Sequence, residues 1–137
     1  MKEDALFFVG QKALIERDGN VLILNVPIEG LDFPGGKIQI GELDFPESLR
    51  REVLEETTLE IEIGEPFATW SYELPAYHPN AGERVFIIGY RCKYISGEVK
   101  LSDEHDSFRW VNKDNYHELD DHSDYFDVLK KYFNLQG

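Results

Sequence analysis

Residues 33–59, Phe-Pro-Gly-Gly-Lys-Ile-Gln-Ile-Gly-Glu-Leu-Asp-Phe-Pro-Glu-Ser-Leu-Arg-Arg-Glu-Val-Leu-Glu-Glu-Thr-Thr-Leu, decide how this chain is read. The Gly35-Gly36 pair predicts a tight turn, followed by an acidic loop ending at Gly41-Glu42. A helix is expected to begin near 44–46, because Pro46 is tolerated only in a first helical turn. At about 100° per residue, Glu52, Glu55 and Glu56 fall within one arc of roughly 100°. Leu49, Val53 and Thr57 lie on the neighbouring arc, the one a helix presses into a core. A solvated helix alternates acids with bases at four-residue spacing, whereas like charges such as Glu52 and Glu56 repel. Hard divalent cations take carboxylate oxygens, so a bound ion would turn that repulsion into a binding site.

Working outward, residues 7–15 and 21–26 are β-rich runs joined at Asp18-Gly19, a hairpin signal. The second run is apolar throughout, as in a strand covered on both faces. Residues 27–32 read as a loop. After the helix, 60–63 reads as a short strand broken by Gly64-Glu65-Pro66, and 67–74 alternates loosely. A loop at 75–84, rich in Pro, Asn and Gly, precedes the strongest strand, 85–95. An acidic loop at 101–106 leads to a short strand at 108–111, and 112–124 reads as loop. Tyr125, Val128, Leu129, Tyr132 and Phe133 are spaced as one face of a closing amphipathic helix. Strands interleaved with an early and a terminal helix indicate one α/β domain over residues 1–137.

Composition narrows the function. The 137 residues are 42% hydrophobic and 13% aromatic, enough for a packed core. With 27 acidic residues against 14 basic, the net charge of −13 argues against a nucleic-acid groove and against docking on anionic membranes. The single cysteine, Cys92, excludes an internal disulfide and reads as a small buried hydrophobe. No stretch has the length of a membrane span, and the opening residues lack a secretory pattern; a cytoplasmic protein is expected.

The quoted stretch resembles the signature of the Nudix hydrolases. That pattern is Gly, five residues, Glu, seven residues, then Arg-Glu-aliphatic-any-Glu-Glu-any-Gly-aliphatic. Gly36, five residues and Glu42 match it, as do Arg51-Glu52-Val53-Leu54-Glu55-Glu56. Two departures stand out: eight residues separate Glu42 from Arg51, and Thr58 replaces the second glycine. A glycine there would serve a left-handed helix end, so Thr58 predicts a strained or reshaped one.

The resemblance implies an α/β/α sandwich with a central mixed β-sheet and hydrolysis of a nucleoside diphosphate linked to another moiety. It implies Mg²⁺ or Mn²⁺ as cofactor and a small nucleotide as the only partner, with the protein a monomer or homodimer. Carried over by position, Glu55 and Glu56 bind metal, and Glu52 binds metal or activates water. Arg51 fixes Glu52, the Gly35 carbonyl completes the metal shell, and Glu42 holds the loop or joins the metal network. A further carboxylate is expected on the loop containing Asp103, Glu104 and Asp106, with Glu104 the choice.

For substrate, Lys37 is the best-placed cation for phosphate, with Arg84, Arg91 and Lys93 as others, while Tyr72, Tyr77, Phe67 and Trp70 offer faces for a base. His105 has the chemistry to donate a proton or touch the substrate, but a lone loop histidine usually does neither, and His117 and His122 read as surface. In some relatives residues about sixteen to eighteen positions past the signature track the substrate class, a proline there going with ADP-ribose and a tyrosine with dinucleoside polyphosphates. Pro75 and Tyr77 both fall in that window. The alternative reading is a module that binds nucleotide on the same fold without cleaving it.

Overall fold

The first hairpin splits open, and the site hangs in the split. The computed structural model describes residues 2–135. β1 (Phe8–Arg17) and β2 (Asn20–Val26) are joined by Asp18-Gly19, both at positive φ (53° and 83°) as a two-residue hairpin turn demands. They pair only beside that turn, Glu16 with Val21 and Arg17 with Asn20. Beyond it the strands part and 30–37 enters the gap: β3 (Gly30–Asp32) pairs with β2, and β4 (Gly35–Lys37) pairs with β1. Sequence reading expected a loop at 27–32. Strands of three residues carrying glycine give no alternation to detect.

The other edge of β1 runs parallel to β6 (Arg84–Ser96), which pairs antiparallel with β5 (Glu60–Glu73); β7 (Ser107–Val111) completes the sheet on β2. The result is one seven-stranded mixed sheet. β5 is continuous where two strands were expected. Register shifts around Ile63 and Pro66 mark an irregularity that carries the chain through Gly64-Glu65-Pro66. β5 is an edge strand, where a proline's missing N–H need not break a ladder.

Alternation along β1 and β2 divides the core in two. Ala13, Ile15, Leu22 and Leu24 pack with Leu49 and Val53 of α1 (Phe45–Thr57). Leu14, Val21 and Ile23 face the other way, against Phe126, Leu129 and Tyr132 of α2 (Asp124–Leu135). This is the α/β/α sandwich. Phe126 joins the buried face that sequence spacing assigned to its neighbours, and Cys92 is buried.

Asp44 caps α1, its carboxylate accepting from the Glu47 N–H at 3.1 Å, with proline in the first turn. The helix then runs unbroken to Thr57, so slack in the spacing ahead of the glutamates sits before Phe45. Leu49, Val53 and Thr57 are fully buried, as their arc predicts. Thr58 takes the left-handed conformation (φ 65°), donating its N–H to the Leu54 carbonyl at 2.9 Å. The neighbouring carbonyls of Thr57 and Glu56 accept from the Lys100 and Ser102 N–H groups, at 2.9 and 3.1 Å. The loop after β6 therefore stops the helix. A β-branched residue in that conformation costs on the order of 1 kcal/mol or more. Thr58→Gly loses only an exposed hydroxyl bond to the Glu98 carbonyl. Thr58→Gly is expected to raise the melting temperature by a few degrees; a fall would show that the hydroxyl bond outweighs the strain.

Candidate active site

A cleft of about 500 Å³ opens where β4 lies on β1, floored by Gly10, Lys12, Val85 and Ile87 and lined by Gly35, Gly36, Lys37, Glu52, Glu56 and Glu104. Three carboxylates thus face one space, two from α1 and one from the loop after β6. A second lobe of about 960 Å³ shares Lys12, Lys37, Tyr72, His78 and Glu104 with it and continues past Leu31, Pro75, Tyr77 and Tyr125.

The double glycine lets α1 come close. A side chain on Gly36 would stand 3.0 Å from Glu52 Oε2, and the Gly35 N–H donates to Glu56 Oε2 at 3.4 Å. Glu56 is only 7% exposed, and burial pushes its carboxyl up to about 7, against the opposing pull of Lys12. Burial raises Glu52 as well, with the charges of Glu55, Glu42 and Glu104 adding to it. The nearby cations, Lys12 for Glu56 and Arg51 for Glu52, offset this only in part.

Arg51 is drawn to other partners. Its guanidinium binds Glu42 at 2.6 Å and Glu55 at 2.8 Å, and reaches Glu52 only at 3.6 Å. Glu42 also accepts from the Ser48 hydroxyl and the Gln39 N–H, both at 2.7 Å. These donors, Ser48 first, then Gln39 and Arg51, lower its carboxyl to about 2. Glu42 is a buckle between the 38–43 loop and α1. Glu55 lies with Arg51, more than half exposed, and does not line the cleft. Its position on the same arc as Glu52 and Glu56 was right; a cation one turn back holds it aside. Arg84 does not line either lobe; its guanidinium sits over the Phe7 ring, 5.3 Å from the centroid. Tyr77 stands at the rim of the outer lobe, 73% exposed.

Sequence reading missed a buried charge chain beside Glu56. Lys12 Nζ lies 3.0 Å from Asp32 Oδ1, and His105 Nε2 lies 2.8 Å from Asp32 Oδ2. Burial is the largest influence and opposes each ion, but Asp32 with Glu56 raises Lys12, and Lys12 with His105 lowers Asp32, in spite of it. The bond to Asp32 holds the His105 imidazole above its usual value. The one available signal was Lys12 itself, a charge in the apolar run of β1.

The donor set fits a hard divalent cation, since every carboxylate offers oxygen and Glu56 resists ionising without one. Among the described residues no three such side chains stand close enough to enclose an ion, so binding would draw the carboxylates together.

The NUDIX domain profile matches residues 9–132. The chain belongs to the NUDIX family. It is a Nudix-type pyrophosphohydrolase, acting on nucleotide-linked pyrophosphate bonds. The MutT protein of Methanosarcina mazei Go1 superposes with a TM-score of 0.78 at 26% identity, over 98% of each chain. A MutT NUDIX hydrolase from Burkholderia pseudomallei gives 0.67 at 26%, over 80% of this chain and 86% of its own. The fold is shared also by a C. elegans Ap4A hydrolase, TM-score 0.75 at 21% identity, over 94% and 97%. Among curated proteins none matches the chain in sequence. No described helix of this Nudix protein is long and apolar enough to cross a membrane.

Proposed function

We propose that this Nudix enzyme hydrolyses the diphosphate bond of a nucleoside diphosphate linked to another moiety, with Mg²⁺ or Mn²⁺ held by Glu52 and Glu56 and with Glu104 as the base. The substrate is a nucleoside triphosphate, a nucleotide sugar or ADP-ribose, or a dinucleoside polyphosphate, so the moiety is a further phosphate, a sugar or a second nucleotide. The observation that carries this reading is the meeting of those three carboxylates with the glycine turn and two lysines in one cleft.

Cleavage at phosphorus requires an in-line water and charge neutralisation on the oxygens around it. A bound divalent cation supplies both neutralisation and a more acidic water. The protein's own groups do the rest. Lys12 and Lys37, at the junction of the two lobes, attract the diphosphate. Tyr72, Tyr77 and Leu31 give the outer lobe apolar faces for the nucleoside or the group attached to it. In this reading Glu104, which lines the same cleft, takes the proton of the attacking water. Glu55, half out in solvent, joins the metal only by leaving Arg51.

A panel of canonical and oxidised nucleoside triphosphates, ADP-ribose, nucleotide sugars and dinucleoside polyphosphates, with products identified, tests this directly. Nucleoside monophosphate release that depends on Mg²⁺ or Mn²⁺ is expected. Mg²⁺ is also expected to raise the melting temperature by mass action. Release that survives both Glu55→Gln and Glu56→Gln would defeat the assignment. Glu55→Gln is expected to be the milder change, because Glu55 does not line the cleft.

A further inference from the structure

The loop that carries Glu104 is fastened at both ends. The Ser102 N–H donates to the Glu56 carbonyl at 3.1 Å, at the last turn of α1. The Asp106 N–H donates to the Asn25 carbonyl at 3.1 Å, and Asn25 Nδ2 returns a bond to Asp106 Oδ1 at 2.8 Å. Between these ends Asp103 and Glu104 are exposed, and His105 alone turns inward, only 6% exposed. Its Nε2 meets Asp32, while its buried Nδ1 has no hydrogen-bond partner. The ring is thus held through one nitrogen, and Asp32 is held in turn by Lys12.

We infer that the buried Asp32–His105 bond is a positioning device: it fixes the turn so that the adjacent Glu104 points into the cleft toward Glu52 and Glu56. Neither Asp32 nor His105 has to touch the substrate in this role. The bond spans 73 residues and joins β3, in the split of the first hairpin, to the loop after β6. It lashes the two sides of the cleft together. The inference rests on the proposed reading of Glu104.

The test is a double-mutant cycle between His105 and Glu104, using the panel substrate that the wild-type enzyme cleaves fastest, at saturating Mg²⁺. His105→Ala is expected to lower kcat about 10- to 100-fold, the usual range for a supporting partner, with KM little changed. Because His105 acts through Glu104, the double variant is expected to be no slower than Glu104→Gln alone. His105→Gln, whose amide N–H can replace Nε2, is expected to restore most of kcat. Amide hydrogen exchange at residues 103–105 is expected to rise in His105→Ala and to return toward wild type in His105→Gln. If His105→Ala does not fold, Asp32→Asn takes its place in the cycle, since one amide cannot accept from both Lys12 and His105. Losses that multiply in the double variant, or exchange that does not change, would overturn the inference alone. Full turnover by Glu104→Gln would overturn the reading of Glu104, and the inference with it.

Discussion

Glu56→Gln is expected to lower kcat by roughly a thousandfold while making the metal-free protein harder to melt. The two effects have one cause. Burial on the glycine turn disfavours the Glu56 anion, so its carboxyl titrates near 7 instead of near 4.5. A group whose folded pKa is raised stabilises the fold fully below its unfolded value and loses that contribution as pH climbs through the folded one. The metal-free enzyme should therefore lose stability between about pH 4.5 and pH 7, by on the order of 3 kcal/mol from this group. Glutamine has no charge to bury and flattens that slope. It also cannot neutralise a cation, and roughly 4 kcal/mol of lost transition-state stabilisation corresponds to the thousandfold fall. Melting curves from pH 4 to 8 in EDTA, beside steady-state kinetics in Mg²⁺, measure both. A wild-type melting temperature rising across that window would contradict the account, as would a variant that keeps its turnover.

Gly35→Ala is expected to be the most damaging single methyl in the chain. Gly35 sits at φ +146°, and a Cβ there would come within 1.9 Å of the Gln11 carbonyl oxygen. That oxygen belongs to β1, where Lys12 pairs with Gly35 and the Ala13 N–H donates to the Pro34 carbonyl at 2.8 Å. Nothing flexible is available to yield. Backbone strain and steric overlap each cost about 1–3 kcal/mol, so about 2–6 kcal/mol in total is expected. At this chain length that is a drop on the order of 10 °C. Gly36→Ala is the internal control, because its methyl would meet the Glu52 carboxylate, a side-chain end that can move. It should melt close to wild type yet turn over slowly. Equal melting temperatures for the two variants would refute the distinction.

How much could be read from the chain alone follows the range of the interactions. Helix α1 was legible in its start near 44–46, its buried arc and its irregular end at Thr58, because Pro46, Leu49, Val53 and Thr58 act within a few residues of one another. Glu52, Glu56 and Glu104 were all named, and all line the cleft. Glu55 shows the limit of periodicity, which fixes the arc of a side chain but not the ion pair that diverts it. β3 and β4 were invisible because their pairing energy comes from strands already folded around them. The Lys12–Asp32–His105 chain was invisible for the same reason: its members are unremarkable singly and meet only when three elements assemble.

The run between Lys37 and Asp44 is a mostly exposed join between two fixed flanks. Before it, the glycine turn is bound onto β1; after it, Asp44 starts α1; Glu42 buckles the two together. Ile40 and Leu43 between them are almost wholly in solvent. Lengthening such a tether by one residue adds only a few tenths of a kcal/mol of closure entropy. Drift in residue count should therefore collect in this bridge across related enzymes, while the distances among the acidic side chains stay fixed. A strict count from glycine to arginine would then measure the habit of a loop and not a requirement of the chemistry.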